Sequence, residues 1–273
     1  MPELPEVETV RRSLEPRLLG RHLGKVEVRS PSLREPLDRP TLEALEGQRV
    51  EALRRRAKYL LIDLERQTSL VIHLGMSGRF TIASADTPVD RHEHLAFHLS
   101  ETERLRFVDP RRFGLAFALP TASIPEDRHF VHLGVEPLGT DFGPKILQRL
   151  AQGRRGPVKN FLMDGRVVVG VGNIYASEAL WRARVHPNRS VSRIAAATWV
   201  RIAAAVRAIL SNAIHEGGTT LNDFRDGEGN AGYFQVSLSV YGREGEPCGR
   251  CDRPIRRTQH AGRGTFYCPG CQR

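Results

Sequence analysis

The second residue of the chain, Pro2, offers an uncommon nucleophile. Proline at this position permits removal of the initiator Met1, which would leave a free prolyl amine. An α-amino group with a pKa near 8 is about 10% neutral at pH 7, whereas a lysine with a pKa near 10.4 is about 0.04% neutral. With Glu3 and Glu6 beside it as acid or base, such an amine can form a Schiff base. The same residues also suit an ordinary helix start with acids in the first turn, so both interpretations stay open.

The four cysteines of the chain form two Cys-x2-Cys pairs separated by 16 residues. This spacing predicts a four-thiolate tetrahedral site for one structural Zn²⁺, with no coordination position left for catalysis. The surrounding segment is rich in arginine, so a zinc hairpin that presents Arg to phosphate is one interpretation and a purely structural staple is the other. The predicted ligands are Cys248, Cys251, Cys268 and Cys271.

Three further segments carry side chains that suit DNA chemistry. Lys58 follows three arginines and precedes an alternating strand, which would direct its amine into a basic groove; a solvated surface lysine is the alternative. HLGMSGRF and DPRRFG are turn-like and present Met76, Arg111 and Phe113. Apolar or arginine wedges of this kind fill the gap that a base leaves in a duplex, although core packing explains Met and Phe equally well.

The stretch from Lys159 to Trp181 contains VGVGN immediately before a helix that we expect to start near Asn173. A glycine-rich backbone at a helix N-terminus is suited to bind an anion such as a DNA phosphate. A plain turn between two helices has the same pattern.

The periodicity of the chain indicates an α+β fold. Residues 5 to 19 have helical spacing, and the segment from about 24 to 135 alternates in short runs broken by Pro, Gly and Asp, which is typical of an antiparallel sandwich or barrel. Helical spacing returns between about 144 and 216 and ends at Gly217. We therefore predict an N-terminal helix and β-sandwich, then a helical domain, then a zinc-finger β-hairpin.

The predicted domain boundaries follow from these changes in pattern. Residues 1–135 form the N-terminal domain, 136–158 a hinge rich in Pro and Gly, 159–239 the helical domain, and 240–273 the zinc finger. Within the helical domain, residues 217–236 are rich in Gly, Asn and Asp, and a loop of this length is usually functional.

Composition favours a polyanion as the partner, without showing which one. The chain has 273 residues and 41 basic against 31 acidic side chains, which gives a net charge of +10. Such an excess favours a polyanion. The acidic N-terminus lacks an apolar signal core, and we expect no segment that approaches the roughly 18 apolar residues needed to cross a bilayer. We expect a cytoplasmic monomer that does not use a membrane.

Together these segments resemble the bacterial formamidopyrimidine-DNA glycosylase family, also called 8-oxoguanine DNA glycosylase. The resemblance spans nearly the whole chain, and its motifs occur in the family's order. They are MPELPEVET, RRRAKYLL, HLGMSG, DPRRFG, MDGRVVVGVGNIYASE, GGTTLNDF, GYF, VYGREGEPC and the terminal zinc finger.

The resemblance implies a helix-two-turn-helix element in the helical domain and a role for each matched residue. Pro2 would attack C1′ of the damaged nucleotide with Glu3 as proton donor at the sugar, while Lys58 and Arg263 would serve β- and δ-elimination. Met76, Arg111 and Phe113 would fill the void in the duplex. The residues 217–236 would cover the flipped purine. The phosphate contacts implied are His92, Arg111, Arg154 or Arg155, Lys159, Asn173 and Arg263.

Two other functions compete with this interpretation. The endonuclease VIII branch has similar chemistry and prefers oxidised pyrimidines, but the ELPEVET start and the GGTTLNDF to GYF loop favour the purine branch. A non-catalytic zinc protein that binds DNA would use Pro2 only to begin a helix. We therefore expect a bifunctional glycosylase and lyase that acts on double-stranded DNA with an oxidised purine.

Overall fold

The computed structural model describes residues 2–217 and 238–273. The chain divides into two compact units between Val131 and His132. The predicted loop at 217–236 and the GYF motif lie, apart from Gly217, outside the described residues.

The first unit contains two antiparallel sheets of four strands, in the orders β1-β6-β7-β5 and β2-β3-β4-β8. Apolar side chains of both sheets belong to one buried cluster, which includes Leu60, Ile72, Phe80 and Phe107. The alternating runs of the sequence thus pack two sheets around one core, as a β-sandwich does. The elements are α1 (Leu4–Leu18), β1 (Val26–Val28), α2 (Arg39–Glu43), β2 (Val50–Arg56), β3 (Tyr59–Leu64), β4 (Thr68–His73), β5 (Arg79–Ser84), β6 (Glu93–His98), β7 (Glu103–Val108) and β8 (Leu115–Pro120).

Helix α1 agrees with the segment expected to be helical to within one residue at each end. Pro5 lies in its first turn, where a missing N–H costs nothing, and Glu3 and Glu6 form a capping box at its start. The apolar side chains at helical spacing, among them Val7, Val10 and Leu14, are fully buried in the core of the first unit. The helix packs against β2 and β3, so its N-terminus has a fixed place in this unit.

The second unit is helical and ends in a two-stranded hairpin. Its largest buried cluster includes Trp199, Tyr175 and Leu162. The two-residue turn between the hairpin strands has positive φ at Ala261 (47°) and Gly262 (75°), as hairpin turns of this length require. The elements are α3 (Pro144–Leu150), α4 (Val158–Met163), α5 (Asn173–Arg182), α6 (Ala196–His215), β9 (Arg256–His260) and β10 (Arg263–Tyr267).

The segment 136–158, expected as a hinge, differs from that expectation. It contains helix α3, which packs against α6. Phe142, Leu147 and Ala151 lie in the buried cluster of the second unit. These residues are therefore part of the second unit's core, and the boundary between the units falls before them, after Val131.

Helix α6 corrects our expectation that no segment is long and apolar enough to span a bilayer. It has 20 residues and a mean hydropathy of 1.2. Its apolar side chains, such as Trp199 and Ile202, are buried against other helices of the second unit. Arg207 also donates hydrogen bonds of 2.7 and 2.6 Å to the carbonyls of Gly139 and Phe142. These contacts explain the hydropathy of α6 as that of a core helix.

Candidate functional site

The start of helix α1 places two carboxylates next to Pro2. Glu3 is the N-cap of the helix and only 3% exposed, and the side chain of Glu6 accepts a hydrogen bond of 2.7 Å from the Glu3 backbone N–H. Pro2 itself is partly exposed. The capping box thereby fixes the backbone that carries Pro2, and the positive end of the helix dipole lies next to it.

Lys58 lies in the two-residue turn between β2 and β3. Ala57, which precedes it, has a left-handed backbone with φ of 54°. Arg55 donates to the Ala57 carbonyl at 3.0 Å and also to the Glu8 carboxylate at 3.2 Å. Glu8 belongs to α1, so one guanidinium ties the turn of Lys58 to the helix of Pro2 within the first unit.

The Glu8 carboxylate also binds two arginines of its own helix. Arg11 and Arg12 donate to it at 3.0 and 2.9 Å. Burial acts to raise the pKa of Glu8, but the hydrogen bonds from Arg11 and Arg12 and the charge of Arg55 outweigh it and hold that pKa below its ordinary value. Glu8 is therefore a firmly ionised anchor for Arg55.

His73 packs beside the turn that carries Lys58. Its ring lies 4.9 Å from that of Tyr59, and its Nδ1 accepts a hydrogen bond of 3.0 Å from the Gly75 N–H. Burial, helped by the positive charges of Lys58, Arg34 and His129, lowers the pKa of His73 to about 4. The ring is thus neutral at pH 7 and adds no positive charge to this region.

The predicted wedge residues lie at the tips of two loops that touch each other. Met76 is 38% and Phe113 43% exposed, and the Arg111 guanidinium lies 5.0 Å from the Phe113 ring centroid. Met76, Phe113, His73 and Arg34 line a cavity of about 350 Å³. Two large apolar side chains exposed around one cavity are expected of a surface that meets a partner.

The loop of Met76 and the loop of Phe113 also approach each other closely through their backbones. A Cβ on Gly75 would lie 2.4 Å from the Phe113 carbonyl carbon and 2.5 Å from the Gly114 nitrogen. Gly75 also has φ of 61°, which only glycine adopts freely. The sequence HLGMSG therefore requires glycine at this position for two independent reasons.

His92 lies immediately before β6, next to the second loop. Its carbonyl accepts from the Asp109 N–H at 2.9 Å, and its Nε2 accepts from Arg91 at 2.9 Å. The ring is partly exposed. The structure thus places His92 beside the segment of Arg111, as a shared phosphate-binding surface would need.

Three of the predicted DNA-binding residues of the second unit meet at one cavity. Lys159 of α4, Asn173 of α5 and Arg263 of β10 line a space of about 280 Å³ together with His260 and the carboxylate of Asp164. Arg263 is exposed at the hairpin turn. Asn173 is the first residue of α5, so the helix dipole also favours an anion here.

Lys159, which the resemblance implies as a phosphate contact, is buried in the structure. It is 1% exposed, and its ammonium donates to Asn173 Oδ1 at 2.6 Å, Thr265 Oγ1 at 2.7 Å and the Gly264 carbonyl at 3.3 Å. These partners belong to α5 and β10. Lys159 therefore holds Asn173 and the Arg263 strand together.

His260 is a residue that sequence reasoning missed at this cavity. Both of its ring nitrogens are buried and have no partner among the described residues. Burial, with the charges of Lys159 and His186, lowers the pKa of His260, so the ring is neutral at pH 7. A neutral ring with an unused N–H next to Arg263 is suited to donate to an anion.

Arg154 lies on the same unit but does not line that cavity. Its guanidinium binds Asp164 at 2.9 Å and lies 5.6 Å from the Phe161 ring centroid. Although burial acts to raise it, the pKa of Asp164 is held below its ordinary value by the hydrogen bond from Arg154. Arg155 and Arg154 instead line a neighbouring cavity of about 320 Å³.

The four cysteines converge as a metal site requires. Their sulfur atoms all lie within 4.8 Å of one another, with 3.8 Å between Cys248 and Cys271 and 3.4 Å between Cys251 and Cys268. A tetrahedral Zn²⁺ with Zn–S bonds of about 2.3 Å separates its sulfurs by about 3.8 Å, so the arrangement fits zinc. Four thiolates leave no open coordination position, which makes the ion structural.

Helix α5 carries the zinc hairpin. Glu178, 4% exposed, accepts hydrogen bonds of 2.9 Å from the N–H groups of Ser239, Val240 and Tyr241. Trp181, one turn further along, donates to Cys248 Sγ at 3.5 Å. The N-terminus of α5 therefore places Asn173 at the cavity that Lys159 and Arg263 line. Its C-terminal end contacts Cys248, the first predicted zinc ligand. The sequence analysis did not single out Glu178, because the segment ASEALW shows only an acidic residue within a helix.

Comparison with known proteins agrees with this architecture. Family models match residues 1–116 as the formamidopyrimidine-DNA glycosylase N-terminal domain, 133–225 as its H2TH domain and 245–273 as the zinc finger found in FPG and IleRS. A formamidopyrimidine-DNA glycosylase of Ruegeria pomeroyi is 48% identical, and the alignment covers 100% of both chains.

Solved structures give the same result. The crystal structure of MutM (Fpg) from Thermus thermophilus has a TM-score of 0.88 at 41% identity and covers 99% of this chain and 98% of that one. The Lactococcus lactis Fpg bound to DNA with an abasic site has a TM-score of 0.92 at 32% identity and covers 99% of each chain. That protein is also solved with DNA carrying N7-benzyl-Fapy-dG or an oxidised pyrimidine.

The fold and site thus define a zinc-finger protein of the DNA-binding class. The chain belongs to the formamidopyrimidine-DNA glycosylase family. This confirms the resemblance, the α+β fold class and the structural zinc site that the sequence predicted. The roles of the individual site residues stay predictions, and Pro2 and Arg263 lie in different units.

Proposed function

We propose that this chain is a bifunctional DNA glycosylase and abasic-site lyase of base excision repair, acting on oxidised purines in double-stranded DNA. The observation that carries the proposal is the position of Pro2 directly before a helix whose capping residues, Glu3 and Glu6, are buried carboxylates. Relatives that align over the whole chain bear the name formamidopyrimidine-DNA glycosylase, and the similar Lactococcus lactis Fpg is solved in complex with DNA that contains N7-benzyl-Fapy-dG.

In the proposed reaction the prolyl nitrogen bonds to C1′ of the damaged nucleotide while the glycosidic C1′–N bond breaks and the base leaves. The nitrogen gives up its proton to the departing base. The sugar ring then opens: the C1′–O4′ bond breaks, O4′ takes a proton from Glu3, and the prolyl nitrogen becomes an iminium. Glu6 keeps the Glu3 backbone in place through the capping box, which supports Glu3 as the acid.

The strand breaks after the iminium has formed. Removal of a C2′ proton expels the 3′ phosphate in β-elimination, and a second elimination expels the 5′ phosphate. Lys58 and Arg263 are the proposed proton donors for these steps. Water finally hydrolyses the conjugate and restores the amine.

The DNA contacts follow from the same proposal. Met76, Arg111 and Phe113 fill the space that the base leaves, because their exposed tips form one surface in the first unit. His92, Arg154, Asn173 and Arg263 bind backbone phosphates, and the buried Lys159 positions Asn173. Zn²⁺ keeps the hairpin folded. The enzyme works as a cytoplasmic monomer without a membrane.

Borohydride trapping tests the nucleophile. Wild-type protein is incubated with duplex DNA containing 8-oxoguanine opposite cytosine, and reduction should yield a covalent adduct. Pro2→Gly, with Lys58 intact, should lose most of the adduct, and Lys58→Ala should retain it. Failure of the wild type to cross-link, or full cross-linking by Pro2→Gly, contradicts the proposal.

Two further measurements separate the competing functions. Intact mass shows whether Met1 is removed, because a protein that keeps it has an amide at Pro2 and only binds DNA. A duplex with 5-hydroxycytosine in place of the purine lesion measures the pyrimidine activity. Faster single-turnover excision from the purine substrate supports the proposal, and the reverse order supports the endonuclease VIII alternative.

A further inference from the structure

A single buried carboxylate, Asp109, joins the two loops that carry the wedge residues. Asp109 is 0% exposed. Its Oδ1 accepts from the Ser77 hydroxyl at 2.6 Å, and its Oδ2 accepts from the Gly114 N–H at 2.7 Å. Ser77 follows Met76 in the first loop, and Gly114 follows Phe113 in the second.

The remaining polar groups of Asp109 are also used. Its N–H donates to the His92 carbonyl at 2.9 Å. Its own carbonyl lies 2.9 Å from His94 Nε2 and accepts from the Arg112 N–H at 3.2 Å. The carboxylate of Asp109 is thus hydrogen-bonded to both wedge loops, and its backbone is hydrogen-bonded to His92, His94 and Arg112. These bonds hold the side chain in one orientation.

Ser77 extends the connection to the third wedge residue. While its hydroxyl donates to Asp109, its Oγ accepts from the Arg111 N–H at 3.2 Å. Arg111 is therefore itself hydrogen-bonded to Ser77. Met76 and Phe113 directly precede Ser77 and Gly114, the two residues that donate to the Asp109 carboxylate. The Gly75 backbone also lies close to the backbone of Phe113 and Gly114, which leaves no room for a side chain at this position.

We propose that Asp109 is a positioning residue that holds Met76, Arg111 and Phe113 as one preformed wedge. Insertion into a duplex requires unstacking of a base pair, and a wedge whose parts are already fixed loses little conformational entropy when it inserts. Asp109 touches no reacting atom. This inference rests on the proposed function, because it concerns the extrusion of the lesion before the chemistry.

A matched pair elsewhere in the first unit provides the control. Asp63 Oδ1 accepts from the Ser69 hydroxyl at 2.6 Å, the same chemical contact at the same length, between β3 and β4. Neither residue belongs to a wedge loop. Asp109→Asn and Asp63→Asn therefore each alter the carboxylate of an Asp–Ser hydrogen bond. Asp63→Asn also weakens the ion pair of Asp63 with Arg54, and only Asp109→Asn affects the wedge.

The test compares two substrates for each variant. Excision of 8-oxoguanine from a duplex requires extrusion of a stacked base, whereas trapping on DNA with a preformed abasic site has no base to extrude. We expect Asp109→Asn to slow single-turnover excision at least tenfold and to change trapping less than threefold. Asp63→Asn should change both less than twofold.

Ser77→Ala supplies a second variant in case Asp109→Asn does not fold, as thermal unfolding will show. It leaves the bond from Asp109 to Gly114 intact and should reduce excision by a smaller factor, again with trapping retained. Equal losses on both substrates, or no loss, in the folded variants overturn the proposal. If the wild type neither excises nor cross-links, the proposed function fails; a fully active wild type with unaffected variants overturns only the role of Asp109.

Discussion

His73 shows how burial sets the charge of a single residue near Lys58. Three positive groups, Lys58, Arg34 and His129, act on it, yet burial is the larger cause of its lowered pKa of about 4. A charged ring here would add repulsion to a surface that already carries Lys58. The neutral ring instead accepts from Gly75 and supports the start of the Met76 loop.

The stability of the protein should therefore depend on His73 in acid. Unfolded His titrates near 6.5, so between pH 6.5 and 4 the unfolded chain binds a proton that the folded chain does not. Stability is lost as the pH falls through this window, by about 3 kcal/mol for a shift of this size. Between pH 7 and 4.5, the free energy of unfolding of His73→Asn should therefore fall by less than that of the wild type, as urea unfolding at the two pH values will show.

The control is His22→Asn, because His22 is exposed in the same unit. It should keep the wild-type difference between the two pH values. Identical pH dependence in His73→Asn and the wild type would refute the lowered pKa.

The turn that carries Lys58 is stabilised by Arg55 of β2 and not by the neighbouring Arg54. The Arg55 side chain is 11% exposed and bridges Glu8 to the Ala57 carbonyl. The Arg54 side chain is 46% exposed and pairs with Asp63 at the surface. Exposed pairs contribute about 0 to 1 kcal/mol, whereas removal of one partner from a buried pair costs more.

Arg55→Met should destabilise the protein by about 2 kcal/mol, and Arg54→Met by less than about 1 kcal/mol. Arg55→Met should also slow nicking of DNA with a preformed abasic site, because the turn of Lys58 loses its tie to α1. Chemical denaturation and a strand-nicking assay measure both effects. Equal behaviour of the two variants would show that the bridge does not matter.

Two glycines of the first unit allow the contact between the wedge loops to be tested, because only one of them lies at that contact. Gly75 and Gly47 both have positive φ, 61° and 79°, but a Cβ on Gly47 meets nothing within 4 Å. Both alanine substitutions carry the backbone penalty of about 1 kcal/mol. Gly75→Ala also forces the Phe113 and Gly114 backbone away.

We expect Gly75→Ala to lower the free energy of unfolding by at least about 1 kcal/mol more than Gly47→Ala does. It should also slow excision of 8-oxoguanine, while Gly47→Ala should not. Thermal unfolding and single-turnover kinetics test the pair. A similar loss of stability in both would mean that the loops do not need the close approach.

Elements with local periodicity could be predicted from the sequence, and contacts between distant residues could not. The spacing of Val7, Val10 and Leu14 predicted α1 to within one residue of its start, because the buried face of a helix recurs along the chain. Asp109 and Ser77 are 32 residues apart, and no local pattern pairs them. The Pro and Gly content of 136–158 suggested a linker, yet Leu147 and its neighbours pack in a core.

At the scale of the whole molecule, the net charge of +10 favours a polyanion such as DNA but does not show which cations bind it. Arginines in buried or paired positions, such as Arg55, neutralise carboxylates of the protein itself. Lys159 is a comparable case in the second unit, because its ammonium has three acceptors of the protein around it. Exposed cations such as Arg263 are the ones available to phosphate.

The salt dependence of DNA binding separates these two kinds of cation. Each phosphate contact that releases a counterion adds about 0.9 to the slope of log K against log salt. Arg263→Ala should reduce the magnitude of this slope by about 0.9 on a duplex with a tetrahydrofuran abasic analogue. Lys159→Met should weaken binding at every salt concentration, since Asn173 and β10 lose their tie, and should leave the slope near that of the wild type. Fluorescence titrations between 50 and 200 mM salt, roughly the range over which such slopes are resolved, provide the measurement. An equal reduction of slope in both variants would show that Lys159 reaches phosphate directly and that its internal contacts break when DNA binds.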